Sequence, residues 1–365
     1  MSERLRERIQ ELEEELRTTK YNKRTQFAVG LLKAKIARLK SELEVKQSKK
    51  TLTLGFAIKK TGDATVAIIG FPSAGKSTLL NKLTNAESKV GQYEFTTLTV
   101  VPGLLEYDQI QVQLLDVPGI IAGAAEGKGR GKEVLASIKA ADLILILIDA
   151  AKPEQLEKIL NELYDAKIRI NKQKPDVKIV KKVSNGINIS SVKLTKIDNE
   201  TIIKILREFK INNADVVIRE DIDVDELIDV IEDNRSYMPA LIIFNKTDLL
   251  NKEQLEQIKR LFNPDLLISA EMNLNLNELK KKIISKLNVI RVYCKRIGKE
   301  PDLKKPLVLK KNSTLMDVCL KLHKQFLEKF KFARVWGSSV KFGGQRVLNL
   351  KHKLNDKDIV EIHLN

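Results

Sequence analysis

An α/β chain is expected, built on a parallel sheet that is buried on both faces, and three features lead there. "TVAIIG", "VQLLDVPG", "LILILIDA", "ALIIFNKTD" and "DLLISAE" are short, continuous apolar runs, each ending in a Gly or polar cluster. Continuous β-branched runs of this length suit strands covered by helices on both sides. Helical stretches alternate with them, and the polar clusters fall at the carboxyl ends of the strands, where ligands of such sheets collect. The first run leads directly into "GFPSAGKST" at 70–78, a GxxxxGK[ST] phosphate loop that follows a strand and opens a helix.

The elements around this sheet follow in order. In residues 1–50, Leu5, Ile9, Leu12 and Leu16 share one helix face, as do Leu32, Ile36, Leu39 and Leu43. "TTKYNKRTQFAVG" interrupts the pattern, so a helical hairpin with a charged outer face is expected. That face is either a docking surface or the solvated side of a packing appendage. Between Asp149 and Leu241 lie roughly 90 residues, far more than one crossover needs. "KIVKKVSNGINISSVKLTKI" alternates like strands, and "DNETIIKILREFKI" and "DVDELIDVIEDN" have helical spacing. A small α+β domain inserted into the main sheet is expected, with Lys172, Lys174, Lys178, Lys181 and Lys182 facing RNA or guarding an exposed sheet edge. After the amphipathic "LNELKKKIISKLNVI", the last 75 or so residues read strand, strand, helix from about Leu315 to Phe330, strand, strand. This pattern fits a compact ubiquitin-like sheet gripping one helix.

With 65 basic and 48 acidic residues among 365, the chain carries a net charge of +17, which favours a polyanionic partner unless it reflects genomic bias or thermal adaptation. The apolar fraction of 43% is enough for real cores, and no apolar run approaches the roughly 18 residues of a membrane span. The charged beginning, "MSERLRERIQELEEEL", is no secretory signal. Two cysteines make no disulfide framework, so a reducing cytoplasm is expected. Cys319 and His323 stand four apart on a helix without further ligands nearby, which favours packing over metal binding. Trp336 is expected in the core of its small domain, and Lys280 to Lys282 on a solvated helix face.

The motifs define a nucleotide site. Gly70 and Gly75, with Phe71, Pro72, Ser73 and Ala74 between them, let backbone N–H groups wrap phosphates. Lys76 reaches the β- and γ-phosphates, the Ser77 hydroxyl ligates Mg²⁺, and Thr78 continues the helix whose N-terminus faces the anion. In "NKTD", the Asp248 carboxylate accepts from N1–H and the 2-amino group of guanine, donors that adenine lacks there. Asn245 is expected to brace the phosphate loop and Lys246 to lie over the base. In "SAE", formed by Ser269, Ala270 and Glu271, the Ala270 N–H is expected to meet guanine O6. "YEFTTLTVVPG" holds the first switch, with Thr97 as the Mg²⁺ ligand and Thr96 as competitor. In "DVPG", Asp116 is expected to hold a Mg²⁺-bound water and the Gly119 N–H to contact the γ-phosphate. Lys76, Thr97 and Gly119 are thus the catalytic candidates, with GTP or GDP and Mg²⁺ as ligands. The position after Gly119, where Ras-type GTPases carry a water-orienting Gln, is Ile120.

"GFPSAGKSTLLNKLT", "YEFTTLTVVPG", "LLDVPGIIAGAAEGKGRGKEVL" and "NKTDLL" resemble the developmentally regulated GTP-binding proteins, relatives of the Obg GTPases. So do "RTQFAVGLLKAKIARLK", "INNADVVIREDIDVDELIDVIEDNRSYMP" and "FARVWGSSVK", so the likeness covers almost the whole chain. It implies a P-loop GTPase domain at 51–151 and 239–289, a helical hairpin at 1–50, a ribosomal-protein-like insert at 152–238 and a β-grasp TGS domain at 290–365. It also implies association with ribosomes or ribosomal RNA, and in eukaryotic members a stabilising protein partner. A hydrophobic residue normally replaces the Gln in this branch, so transition-state charge must come from a monovalent cation, a partner or the ribosome. Potassium-stimulated relatives often carry an Asn in the phosphate loop; Ser73 departs from that pattern, although its hydroxyl could still ligate K⁺. In "EGKGRGKE", Lys128 or Arg130 could act on the phosphates in cis.

The expected protein is therefore a slow, activatable GTP-hydrolysing switch on ribosomes. A GTP-gated protein-binding module and an RNA-binding assembly factor with a structural nucleotide are the alternatives.

Overall fold

The computed structural model describes residues 2–20, 25–48, 62–84, 101–117 and 131–365. In chain order the elements begin with α1 (Ser2–Thr18), α2 (Gln26–Ser48), β1 (Ala64–Ile69), α3 (Lys76–Leu83), β2 (Val101–Tyr107), β3 (Ile110–Asp116), α4 (Gly131–Ala140), β4 (Leu143–Asp149), α5 (Gln155–Asp165) and β5 (Ile168–Ile170). Then come β6 (Val177–Lys181), β7 (Ile187–Ser191), α6 (Asn199–Glu208), β8 (Ala214–Ile218), α7 (Val224–Glu232), β9 (Ser236–Met238), β10 (Ala240–Asn245), α8 (Lys252–Phe262), β11 (Leu266–Leu267) and α9 (Leu276–Leu287). The last are β12 (Val289–Lys295), β13 (Leu307–Lys310), α10 (Leu315–Leu322), α11 (Lys324–Glu328), β14 (Phe330–Trp336), β15 (Gln345–Val347) and β16 (Asp358–Leu364). They form two compact units, residues 56–171 with 238–365, and residues 1–55 with 172–237.

The first of these units holds a six-stranded sheet in the order β11-β10-β4-β1-β3-β2. All neighbours are parallel except β2 against β3. Alternation at period two explains the unbroken apolar runs. In β4, Leu143, Leu145 and Leu147 join the core beneath α3 and α9, whereas Ile144, Ile146 and Ile148 join the core beneath α4, α5 and α8. All six side chains are fully buried, each contributing about 1.5–3 kcal/mol of transfer free energy. The antiparallel edge strand β2 is an addition to the expected strands. It turns into β3 through Asp108 and Gln109, both at positive φ (49° and 64°), as a two-residue hairpin requires.

Residues 290–365 form the expected β-grasp sheet, in the order β13-β12-β16-β14-β15, over α10. The expected single helix from Leu315 to Phe330 is two, because His323 is extended (φ −175°, ψ 146°) and its Nδ1 accepts from the Gln325 N–H as a new cap. Cys319 is buried in this fold and His323 exposed, and no group of three metal-binding side chains exists among the described residues. Trp336 is half-buried at the rim rather than in the core, with Lys295 Nζ 4.5 Å from its ring centre.

In the second unit, β6, β8 and β7 form a three-stranded sheet in that order, backed by α6 and α7. The central strand, β8, was missed in the sequence. The insert was expected to begin at 152, yet Leu156, Ile159 and Leu163 of α5 pack into the main-sheet core, and the second unit resumes only at Lys172. The hairpin belongs to the same unit as the insert. Leu32 and Ile36 of α2 meet Leu12 of α1, while Ala34 enters the insert core. Gly30 lets α2 approach closely: a Cβ there would lie 3.3 Å from Val224 and 3.4 Å from Thr201. Lys33 pairs with Asp225 at 2.7 Å and Arg38 with Glu208 at 3.0 Å, so part of the charged face is internal to the unit.

Candidate nucleotide site

At the carboxyl ends of β1, β3, β4 and β10 the predicted motifs converge. The phosphate loop, Gly70 to Gly75, turns from β1 into α3. A Cβ at Gly70 would meet the Leu147 carbonyl oxygen at 2.4 Å. Gly75 has φ +90°, and a Cβ there would meet Asn245 Nδ2 at 2.4 Å. Pro72 and Ser73 are exposed at the tip, Ser73 in the left-handed region (φ 68°). Phe71 packs on the core beneath α4, α5 and α8, Ala74 is buried, and Thr78 is half-buried in the first turn of α3.

Lys76 folds back over the loop, its ammonium donating to the carbonyls of Gly70 (3.0 Å) and Phe71 (3.1 Å). Burial draws its pKa below the ordinary lysine value, and the nearby Asp116 carboxylate opposes that shift. Beside it the Ser77 hydroxyl donates to Asp116 Oδ2 at 2.9 Å. The other carboxylate oxygen, Oδ1, is buried without a hydrogen-bond partner. A hydroxyl and a carboxylate with one oxygen unspent are the hard donors that suit Mg²⁺ or a water bound to it. Thr96, Thr97, Gly119, Ile120, Lys128 and Arg130 lie outside the described residues.

The NKTD and SAE loops are tied to the phosphate loop through one side chain. Asn245, 2% exposed, donates from Nδ2 to the Ala74 carbonyl and accepts at Oδ1 from the Ala270 N–H, both at 2.9 Å. The Ala270 N–H, expected at guanine O6, donates here to Asn245, which bridges both loops. Ser269 is fully buried, its Oγ accepting from the Met272 N–H at 3.1 Å, and Glu271 is exposed beside it. Thr247 Oγ1 donates to the Ile268 carbonyl at 2.9 Å, fastening the turn that presents the exposed Asp248.

Sequence reasoning missed Asp149. It ends β4 beside Asn245 on β10, and its Oδ2 accepts from Lys246 Nζ at 2.8 Å while Oδ1 accepts from the Ala151 N–H at 3.0 Å. Burial pushes its carboxyl pKa up, but the Lys246 and Ala151 hydrogen bonds and the charges of Lys246 and Lys152 bring it below the ordinary range. The only sequence signal was an acid closing an otherwise apolar strand.

Of the insert lysines, Lys174 and Lys182 pair with Asp233 and Asp215, Lys172 lies 3.9 Å from Glu226, and Lys178 and Lys181 are exposed. No helix among the described residues is long and apolar enough to cross a membrane.

Comparison with known proteins identifies the family. The family described as "50S ribosome-binding GTPase" matches residues 65–182, the C-terminal region of the same domain matches 184–289, and the TGS domain matches 290–364. The chain is 51% identical over 363 residues to an uncharacterized GTP-binding protein of Methanocaldococcus jannaschii, covering 98% of this chain and 92% of that one. Over 359 residues it is 43% identical to human Developmentally-regulated GTP-binding protein 2 and 44% identical to GTP-binding protein 1 of Schizosaccharomyces pombe, covering 98% of each chain. Among solved structures, Era of Aquifex aeolicus matches at 19% identity with a TM-score of 0.33, covering 75% of this chain and 72% of that one, a similarity too slight to bear on function. With its phosphate loop, its NKTD loop and the β-grasp domain that follows, the chain belongs to the developmentally regulated GTP-binding protein family and is a P-loop GTPase with a TGS domain.

Proposed function

We propose that the chain is a Mg²⁺-dependent GTP switch that works on cytoplasmic ribosomes or ribosomal RNA. The observation that carries the nucleotide site is the Asn245 bridge, which holds the phosphate loop and the SAE loop to one buried amide. In this reading the phosphate-loop N–H groups and the α3 N-terminus bind the phosphates. Lys76 exchanges its two carbonyl acceptors for phosphate oxygens, and Asp248 selects guanine. Ser77 and Asp116, joined by Thr97, hold Mg²⁺, which when bound neutralises charge on the phosphates. The Gly119 N–H holds the γ-phosphate and so couples the second switch to nucleotide state.

Ile120 provides no polar group to orient water. The missing transition-state stabilisation is assigned to an outside source: K⁺ near Ser73, a dedicated protein partner, or the ribosome. The ribosomal assignment is supported by the +17 net charge and by the description of the matching family.

Steady-state GTP turnover in K⁺ and in Na⁺, each with and without purified ribosomes, tests this. Stimulation by ribosomes is expected, against unassisted rates of about 10⁻⁴ to 10⁻² s⁻¹. Stimulation by K⁺ alone transfers the role of the missing Gln to a cation, and no stimulation by either refutes the ribosomal assignment.

A further inference from the structure

We infer that Asp149 is a positioning residue for the guanine nucleotide, acting through Lys246; the inference rests on the nucleotide site proposed above. Asp149 lies outside the four motifs and is 97 positions from its partner. Adjacent parallel strands bring the two together. β4 and β10 pair with Asn245 opposite Asp149, so the residue after Asn245 leaves the sheet directly over the Asp149 carboxylate. Lys246 then takes a left-handed backbone (φ 63°), which turns its side chain back toward β4.

The carboxylate is poorly exposed (13%) and is itself oriented by the Ala151 N–H, whereas the Lys246 side chain is one-third exposed. The acid is therefore the fixed partner and the lysine the held one. A lysine has four rotatable side-chain bonds and a point charge with no preferred direction. Without an anchor, its stem must be ordered by each arriving base, and the entropy cost is taken from binding. Anchored, the stem is in place beside Asp248, two residues along the same turn. The Asp149 carboxylate bonds to Lys246 and the Ala151 N–H, not to the Ser77–Asp116 pair, so its effect falls on nucleotide retention.

The test measures the affinity and dissociation rate of N-methylanthraniloyl-GDP on the full-length protein, together with KM and kcat for GTP. The set is the parent, Asp149→Asn, Asp149→Glu, Lys246→Ala and the double variant Asp149→Asn with Lys246→Ala. Asp149→Asn is near-isosteric and keeps an acceptor for the Ala151 N–H; a melting curve for each variant monitors folding. The expected result is about tenfold weaker binding for Asp149→Asn, seen as faster dissociation and a raised KM rather than a lowered kcat. Asp149→Glu should recover most of the loss, and adding Asp149→Asn to Lys246→Ala should cost no further affinity. Equal losses in the two backgrounds would mean that Asp149 supports the fold and not the lysine, overturning the inference. So would parent-like binding by Asp149→Asn. Failure of the parent protein to bind the probe would instead overturn the nucleotide site, and the role of this pair with it.

Discussion

Replacing Gly75 with Ala perturbs the junction of phosphate loop and base site in a way that can be worked from geometry. The residue sits at φ 90°, ψ 25°, where a side chain costs about 1–2 kcal/mol of backbone strain. Its new methyl group would lie 2.4 Å from Asn245 Nδ2, so the amide must retreat by about an ångström. That retreat breaks its 2.9 Å bond to the buried Ala74 carbonyl, which costs a further ~1–3 kcal/mol. Gly75→Ala alone should therefore destabilise the loop by about 2–5 kcal/mol. In an Asn245→Ala background the obstructing amide is gone, and the same change should cost only the ~1–2 kcal/mol of strain. Amide hydrogen exchange on phosphate-loop and β10 peptides reads these local free energies without requiring a multi-unit chain to unfold in one step. The reasoning fails if the penalties for Gly75→Ala agree within about 0.5 kcal/mol in the two backgrounds, since independent sites add.

Three further outcomes are expected. Asp116→Asn should abolish most of the difference in GTP affinity between Mg²⁺ and EDTA buffers; a parent-like difference would remove Asp116 from the metal site. The Arg291 hydrogen bond, opposed by burial, holds the Asp356 carboxyl below its ordinary range, so the unfolded chain binds the proton more readily than the folded one. That stabilisation is complete above the ordinary Asp value of about 3.9 and fades as pH falls through the lower folded value. Acid unfolding followed by the fluorescence of Trp336, the single tryptophan, should lose this component in Asp356→Asn, and an unchanged pH slope would contradict it. Burial, reinforced by Cys319, pushes the Cys294 thiol up to about 11, so only about one molecule in a thousand is thiolate at pH 8. Iodoacetamide should label it slowly in the native protein and rapidly in urea; rapid native labelling would place the thiol in a more open setting.

The site was legible where function is written into adjacent residues. A phosphate loop needs glycines at fixed spacing, and NKTD needs its acid three residues after its Asn, so "GFPSAGKST" and "NKTD" identify themselves. Partners that meet across the fold were less so. The hydrogen bond from the Ala270 N–H to Asn245 was not legible, because a donor's partner depends on what else approaches it, here a side chain from 25 positions away. Helix α5 shows the same limit. Its amphipathic pattern announces a helix that must cover something, but the surface it covers is chosen only when the main sheet has formed.

The sequence by itself determined the doubly covered parallel sheet, the phosphate-loop and NKTD motifs, and the succession of hairpin, insert and β-grasp domain. Each of these is set by local periodicity or by contiguous backbone chemistry. Only the tertiary structure decided that Asn245 locks two loops together, that Asp149 holds Lys246, that the hairpin and insert share a core, and that the insert begins at Lys172. These depend on which residues become neighbours when strands far apart in the chain pair. Hydrogen bonds spanning 97 and 171 positions leave no periodic trace in the residues between their ends.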